Sequence, residues 1–199
     1  MIYKTSRHIT DKLIRHGRVD SDDRELFEYG IFLVISQMIY ALVCIICGIV
    51  FKCIAESLVL YVSFNFARKY SGGFHASTEL RCFIISSLSI LCSVSLIKTF
   101  EIKDLCVPFI ILLAAASAVI IIFSPLDTDE KPLTEDEKVL FRKKSFLVLG
   151  VLLAVCIATF PKLRFISYSA GTAVILESVF LSLGKLKKFY TAQKNIPCD

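Results

Sequence analysis

The sequence predicts an all-α integral membrane protein, a polytopic helical bundle with an amphipathic N-terminal segment. Three observations carry that expectation. The chain is 55% hydrophobic with a mean hydropathy of +0.68, outside the range of soluble domains. Its apolar residues gather into six runs, at 30–51, 54–67, 82–97, 105–123, 146–160 and 165–183. The segments between the runs alternate between rich and poor in Lys and Arg.

Segment 1–29 is polar and charged, with Ile9, Leu13 and Val19 scattered among basic residues. It reads either as a helix lying on an anionic membrane surface or as a basic tail. No apolar stretch of a cleavable signal peptide precedes residue 30, so the segment is expected to stay in the mature chain. Asp22, with Glu25 three residues on, fits a capping box leading into the first run. His8 and His16 read as interfacial surface residues.

The runs 30–51, 105–123 and 165–183 match the ~20 residues that cross a bilayer. Those at 54–67, 82–97 and 146–160 are short, and span by recruiting flanking residues, re-enter, or pack inside the bundle. Six spans is the primary reading and four the fallback. With six, 18 of the 23 Lys and Arg residues fall on one side. The positive-inside rule then puts both termini, the segment 68–83 and the loop 124–145 in the cytoplasm. The net charge of +5 thus reports topology rather than a nucleic-acid partner. Residues 1–199 read as a single membrane-embedded domain.

Eight cysteines do not make a disulfide framework here. Cys44, Cys47, Cys92 and Cys156 lie inside apolar runs and Cys53 and Cys106 at their outer edges, where a thiol packs as a small hydrophobe. Cys82 and Cys198 fall on the reducing side. In the loop 124–145, acids come first and a basic cluster last. Pro125 and Pro132 stop helix, and Thr134 with Glu137 forms a capping box for the next helix.

The segment "RKYSGGFHASTELRCF" at 68–83 holds the chemistry. Gly72-Gly73 permits positive φ and a tight turn. Ser77 or Thr78 can cap a new helix, and Glu79 suits its first turn. Cys82 then lies near a helix N-terminus beside Arg81, with Arg68 and Lys69 across the turn, a setting that favours a thiolate. His75 precedes Cys82 by seven residues. Unbroken helix would separate their backbones by ~10.5 Å, too far for proton transfer, so the pair is productive only if the glycines break the helix. The chemistry implied is nucleophilic catalysis, with Cys82 attacking an acyl carbon and His75 moving the proton. Asn65, Glu79 and Ser77 are equal candidates to orient His75. No second pair of ligands stands at metal spacing, and no cofactor is called for.

Two other classes compete. Glu177 inside an apolar run, with Pro108 and Gly171 as helix interruptions, fits a small transporter or channel. A membrane sensor or scaffold with an inert Cys82 is the third reading.

Segment 68–83 resembles the signature of the accessory gene regulator protein B family (AgrB), membrane cysteine endopeptidases of bacterial peptide quorum sensing. The matching positions are Arg68-Lys69, Gly73, His75-Ala76 and Cys82. "SPLDTDEKPL", followed by Arg142-Lys143-Lys144, is similar to the family's second conserved loop. The resemblance implies a bacterial cell-membrane enzyme with His75 as general base and Cys82 as nucleophile. Arg68, Gly72, Gly73, Lys131, Arg142, Lys143 and Lys144 would support the site or bind substrate. It further implies a small amphipathic propeptide substrate with an acidic C-terminal tail, cyclisation to a thiolactone or lactone, and a homodimer. Asp127, Asp129 and Glu130 depart from the more basic loop of some relatives.

Overall fold

A computed structural model of the chain describes residues 2–74, 78–126 and 134–194. Among them are seven α-helices: α1 (Ile2–Arg15), α2 (Arg24–Val50), α3 (Ile54–Ser71), α4 (Glu79–Lys103), α5 (Cys106–Phe123), α6 (Glu135–Thr159) and α7 (Arg164–Lys194). The chain is an all-α membrane protein, as its composition predicts.

Four helical segments are long and apolar enough to cross a membrane: Ser21–Val50, Glu79–Lys103, Cys106–Phe123 and Arg164–Tyr190. Six such segments are not confirmed among the described residues, and four is the fallback count. The short run at 82–97 gains length because Thr78 starts its helix early and the polar stretch to Lys103 stays helical. α3 and α6 fall short for a common reason. Glu56, Arg68 and Lys69 lie within the 18 residues of α3, and Arg142, Lys143 and Lys144 interrupt α6 before its apolar half. Ionised side chains in a span are costly unless they face protein or water.

From α2 to α7 the helices alternate in direction between two ends. At one end, Lys98 Nζ on α4 reaches Glu56 Oε1 in the first turn of α3 at 3.3 Å, and Arg164 at the start of α7 pairs with Asp104 at 2.6 Å. Phe100, Phe109, Phe160 and Tyr168 pack edge-to-face and offset there, with the Phe109 and Tyr168 centroids 4.9 Å apart. At the opposite end, the last turns of α3 and α5 meet α6 just after its basic cluster. Ser145 Oγ joins Ser71 Oγ at 3.0 Å and Ser124 Oγ at 2.7 Å, and all three residues are buried.

α7 is the central helix, packed against α3, α4, α5 and α6. Its buried stretch is mostly small: Ser167, Ser169, Ala170, Gly171, Thr172 and Ala173. Small side chains let helix backbones approach closely, which is how helices associate where lipid removes the hydrophobic drive. The outward faces of α2 and α5 carry exposed Leu33, Met38, Leu42, Ile111 and Ile122, apolar surface suited to acyl chains.

α1 is a helix rather than an unstructured tail. Its inner face is small and polar: Ser6 and Thr10 are fully buried, and their hydroxyls bond to Tyr3 O and Ser6 O on their own helix. Asp11 ties it to Arg24 at 2.6 Å. The expected capping box at Asp22 and Glu25 is absent. A 3-10 turn at Ser21–Asp23 intervenes, and the capping carboxylate is that of Asp20, which accepts from the Ser21 N–H. The box at Thr134 and Glu137 forms as expected.

A Cβ at Gly171 would lie 2.3 Å from Phe109 Cζ, while one at Gly150 would meet nothing within 4 Å. Gly171→Ala is expected to lower stability by about 1–3 kcal/mol through overpacking. Gly150→Ala should be neutral or stabilise by up to ~1 kcal/mol through helix propensity. Thermal unfolding of both variants in one detergent checks the contrast, and equal melting temperatures would contradict the packing at α7.

Candidate active site

The site is built where α3 ends and α4 begins. Gly72 caps α3 at φ +75°, its N–H reaching Arg68 O at 3.3 Å, and Gly73 follows at φ +135°. Space enforces the glycines as well as φ. A Cβ at 72 would lie 2.5 Å from Leu126 O, and one at 73 would lie 2.1 Å from Arg68 Nη1. The predicted break after α3 is therefore present, and two residues distant in sequence define it. The Leu126 N–H donates to Ser71 O at 2.9 Å, and the Phe74 N–H donates to Phe180 O on α7 at 3.1 Å.

Arg68 serves the same turn from inside. Its Nη1 donates to Gly72 O at 3.3 Å and its Nη2 to Phe74 O. The guanidinium lies 4.8 Å from the Phe180 ring centroid and 4.0 Å from Glu177 Oε2. One side chain thus holds the carbonyls on both sides of Gly73.

Thr78 caps α4, its hydroxyl accepting from the Arg81 N–H at 3.3 Å. The Cys82 N–H closes the first turn onto Thr78 O at 3.0 Å, so Cys82 sits at the positive end of the helix dipole. Its thiol is half-buried and faces α2. Tyr40 Oη lies 3.5 Å from Cys82 Sγ, and the Tyr40 ring stacks on Phe83 with centroids 6.5 Å apart.

Cys82, Tyr40, Arg68 and Gly72 line one cavity of about 250 Å³. Most of its wall is apolar, contributed by residues such as Phe32, Phe64, Ile90 and Phe180, while Ile2 and Glu79 lie at the α1 side. The Tyr3 N–H donates to Glu79 Oε1 at 3.2 Å, so the start of α1 borders the site. An apolar cleft with a few convergent polar groups is the usual form of a ligand site.

Several sequence-predicted residues fall elsewhere. His75 and Lys131 lie outside the described residues, as does Ser77. Gly73 sits behind Arg68. Arg142, Lys143 and Lys144 are exposed on α6 at the same end of the bundle, but they do not line the cavity. Arg142 lies over Phe146 and Lys144 over Tyr70. Asn65 does line the cavity, yet its amide donates to Tyr61 O at 2.8 Å on its own helix. Among the described residues, no group of three or more His, Cys, Asp or Glu side chains could hold a metal ion.

Tyr40 is the residue that sequence reasoning missed. The only signal for it is a phenolic hydroxyl within an apolar run, where such a group needs a partner. The partner lies 42 residues away.

The sequence profile of the family Accessory gene regulator B matches residues 6–182. The chain is 27% identical over 189 residues to a putative AgrB-like protein of Clostridium perfringens strain SM101, covering 92% of this chain and 86% of that protein. It is 25% identical over 186 residues to putative AgrB-like protein 2 of C. perfringens strain 13, covering 90% and 87%. Over 127 residues it is 28% identical to accessory gene regulator protein B of Staphylococcus intermedius, covering 63% and 64%. No solved structure matches.

A hydroxyl that donates to sulfur favours the anionic form, and hydrogen bonds to charged groups contribute about 1.5–3 kcal/mol. Tyr40→Phe removes that donor and keeps the ring. Alkylation of Cys82 by a small maleimide at neutral pH, followed by peptide mass spectrometry, should therefore slow about 10-fold or more. An unchanged rate would show that the hydroxyl does not act on the thiol.

Proposed function

Because the chain belongs to the accessory gene regulator B family of quorum-sensing proteins, we propose that it is a membrane cysteine endopeptidase that processes a small signalling propeptide. The observation that carries this reading is Cys82 in the first turn of α4, opening onto a mostly apolar cavity with the Tyr40 hydroxyl at 3.5 Å from its sulfur. That is a nucleophile with a helix N-terminus and a phenolic hydroxyl on one side and substrate space on the other.

In this mechanism His75 takes the Cys82 thiol proton, and the sulfur attacks the carbonyl carbon of the scissile peptide bond. The C–N bond breaks as His75 returns the proton to the leaving amine. A thioester to Cys82 remains, and the C-terminal tail departs. A side-chain thiol or hydroxyl of the bound peptide then attacks the thioester carbon. This closes a thiolactone or lactone and restores the Cys82 thiol. The exchange of one thioester for another is nearly thermoneutral, so the energy of the cleaved bond is kept as long as water is excluded.

The substrate is an amphipathic peptide whose apolar part suits the cavity and whose acidic tail suits the exposed cluster at Arg142, Lys143 and Lys144, with Lys131 as a further partner. Arg68, Gly72 and Gly73 support the turn that leads to His75. On the six-span reading 18 of the 23 Lys and Arg residues fall on one side, which supports a cytoplasmic position for this end and both termini. The enzyme works as a homodimer by family resemblance. The transporter reading loses its main support, since Glu177 is paired to Arg68 and does not line the cavity.

Co-expression with the candidate propeptide tests the mechanism. Cys82→Ala and His75→Ala should each abolish processing, whereas Cys106→Ala should process normally. Cys106 follows the far end of α4, on the order of 30 Å from Cys82 along the helix. Processing that persists in Cys82→Ala eliminates the mechanism. A charged, membrane-impermeant thiol reagent applied to intact cells should spare Cys82, and rapid labelling would move the site to the outer face.

A further inference from the structure

Glu177 is the one acidic residue of α7, and the catalytic scheme above does not use it. Its side chain is 0% exposed, and neither carboxylate oxygen has a hydrogen-bond partner. A buried acid so placed normally has a strong reason to remain, since its isolation costs more than an apolar residue of the same size. The cationic group within ion-pair reach is Arg68, at 4.0 Å.

Arg68 is itself fully committed. Its two terminal nitrogens reach Gly72 O and Phe74 O, and its plane lies over Phe180. Glu177 and Phe180 are three residues apart on α7, hence on one helix face, and Phe180 O receives the Phe74 N–H. Both polar groups of the Phe74 backbone, the last described before residue 75, are thereby tied to this small assembly. A guanidinium delivers two bonds in a fixed plane only if the plane itself is held. The ring beneath it and the carboxylate beside it supply that hold.

We infer that Glu177 is a positioning residue, whose carboxylate locks Arg68 in the orientation that clamps Gly72 O and Phe74 O and so fixes the backbone through Phe74 at the cavity that Cys82 also lines. The inference rests on the peptidase reading for its catalytic consequence, but the clamp is a structural claim in its own right. Glu177 acts at a distance from the reacting atoms. Its loss should lower turnover rather than substrate affinity, because a small displacement of a catalytic group costs up to ~100-fold in rate.

The test uses the full chain reconstituted in liposomes with the candidate propeptide. Glu177→Gln, which keeps the shape, should cut turnover at saturating propeptide by ~10–100-fold with KM little changed. Arg68→Lys should lose as much, because a lysine keeps the charge but not the fork. The double variant should be no slower than the slower single one, as expected of residues acting as a unit. Losses that multiply, or wild-type turnover in Glu177→Gln, would overturn the proposal.

Hydrogen exchange read by mass spectrometry gives a measure independent of any substrate. Glu177→Gln should speed amide exchange at 72–74 by ~10-fold while α5 and α6 stay as in wild type. Should that variant fail to accumulate, Glu177→Asp, which retracts the charge from Arg68, carries the same expectation. Unchanged exchange at 72–74, or acceleration spread equally over the bundle, sinks the clamp. If Cys82→Ala still processes propeptide while the exchange effect holds, the peptidase reading fails and the clamp stands.

Discussion

The hydrogen bond from the Phe74 N–H to Phe180 O ties the turn after α3, which lines the cavity with Cys82, to the most buried helix in the bundle. Backbone polar groups taken out of water and left unpaired cost about as much as a lost hydrogen bond, and Ser71 and Gly73 are buried. The turn at 72–74 therefore has to be completed by protein. α7 offers a carbonyl, the turn after α5 offers the Leu126 amide to Ser71 O, and Arg68 takes the remaining carbonyls. The meeting requires α3 and α5 to end at the level of Phe180, which lies inside the longer α7. Gly184 permits the meeting: a Cβ there would lie 2.9 Å from the Phe74 nitrogen.

The two ends of the bundle are built on different terms. The far end closes with ion pairs and an aromatic cluster whose members are stacked or edge-on, arrangements that contribute roughly 0.5–1.5 kcal/mol per pair beyond burial. The near end closes with hydroxyls, glycines and backbone bonds and leaves a cavity. Rigidity at one end allows a void at the other, because the helices are held in register without the near-end core being filled. α1 borders this void through Ile2 and Tyr3, so the amphipathic segment borders the site as well as packing on α2.

Local chemistry was legible in the sequence where one residue and its near neighbours decide the outcome. The Thr78 cap, the Thr134–Glu137 box and the stop at Pro125 depend on contacts within a few residues, and the Gly72-Gly73 break shows in its two glycines although Leu126 and Phe180 complete it. The Asp22–Glu25 box failed for an equally local reason. Asp20 captures the Ser21 N–H first and starts a 3-10 turn, which shifts the helix start to Arg24. What the sequence could not disclose is pairing across helices. Tyr40 with Cys82, Phe74 with Phe180 and Ser71 with Ser145 are 42 to 106 residues apart, and apolar runs give no register between them. Counting spans from run length overreached at α3 and α6 because Arg68 and Lys69, and Arg142 to Lys144, were read as flanks yet lie inside the helices, and Glu56 adds a third charge to α3.

Glu177 shows how geometry changes the meaning of a sequence signal. An acid in an apolar run is equally compatible with a transport pathway and with an internal counter-ion. A pathway needs the carboxylate to face a cavity or a line of further ionisable groups. Here the carboxylate faces the back of an arginine whose front holds a turn, and the cavity lies on the far side of that arginine. The composition of the cavity bears on chemistry in the same way. On the proposed mechanism a thioester on Cys82 can pass to water, at ~55 M in an open polar cleft, or to a thiol of the peptide, whose effective molarity when well oriented can reach 10⁵ M or more. An apolar wall with few hydrogen-bonding groups lowers the water term, and a peptide packed against that wall raises the other. On that mechanism, the same cavity that would admit an amphipathic substrate would also favour closing it into a ring.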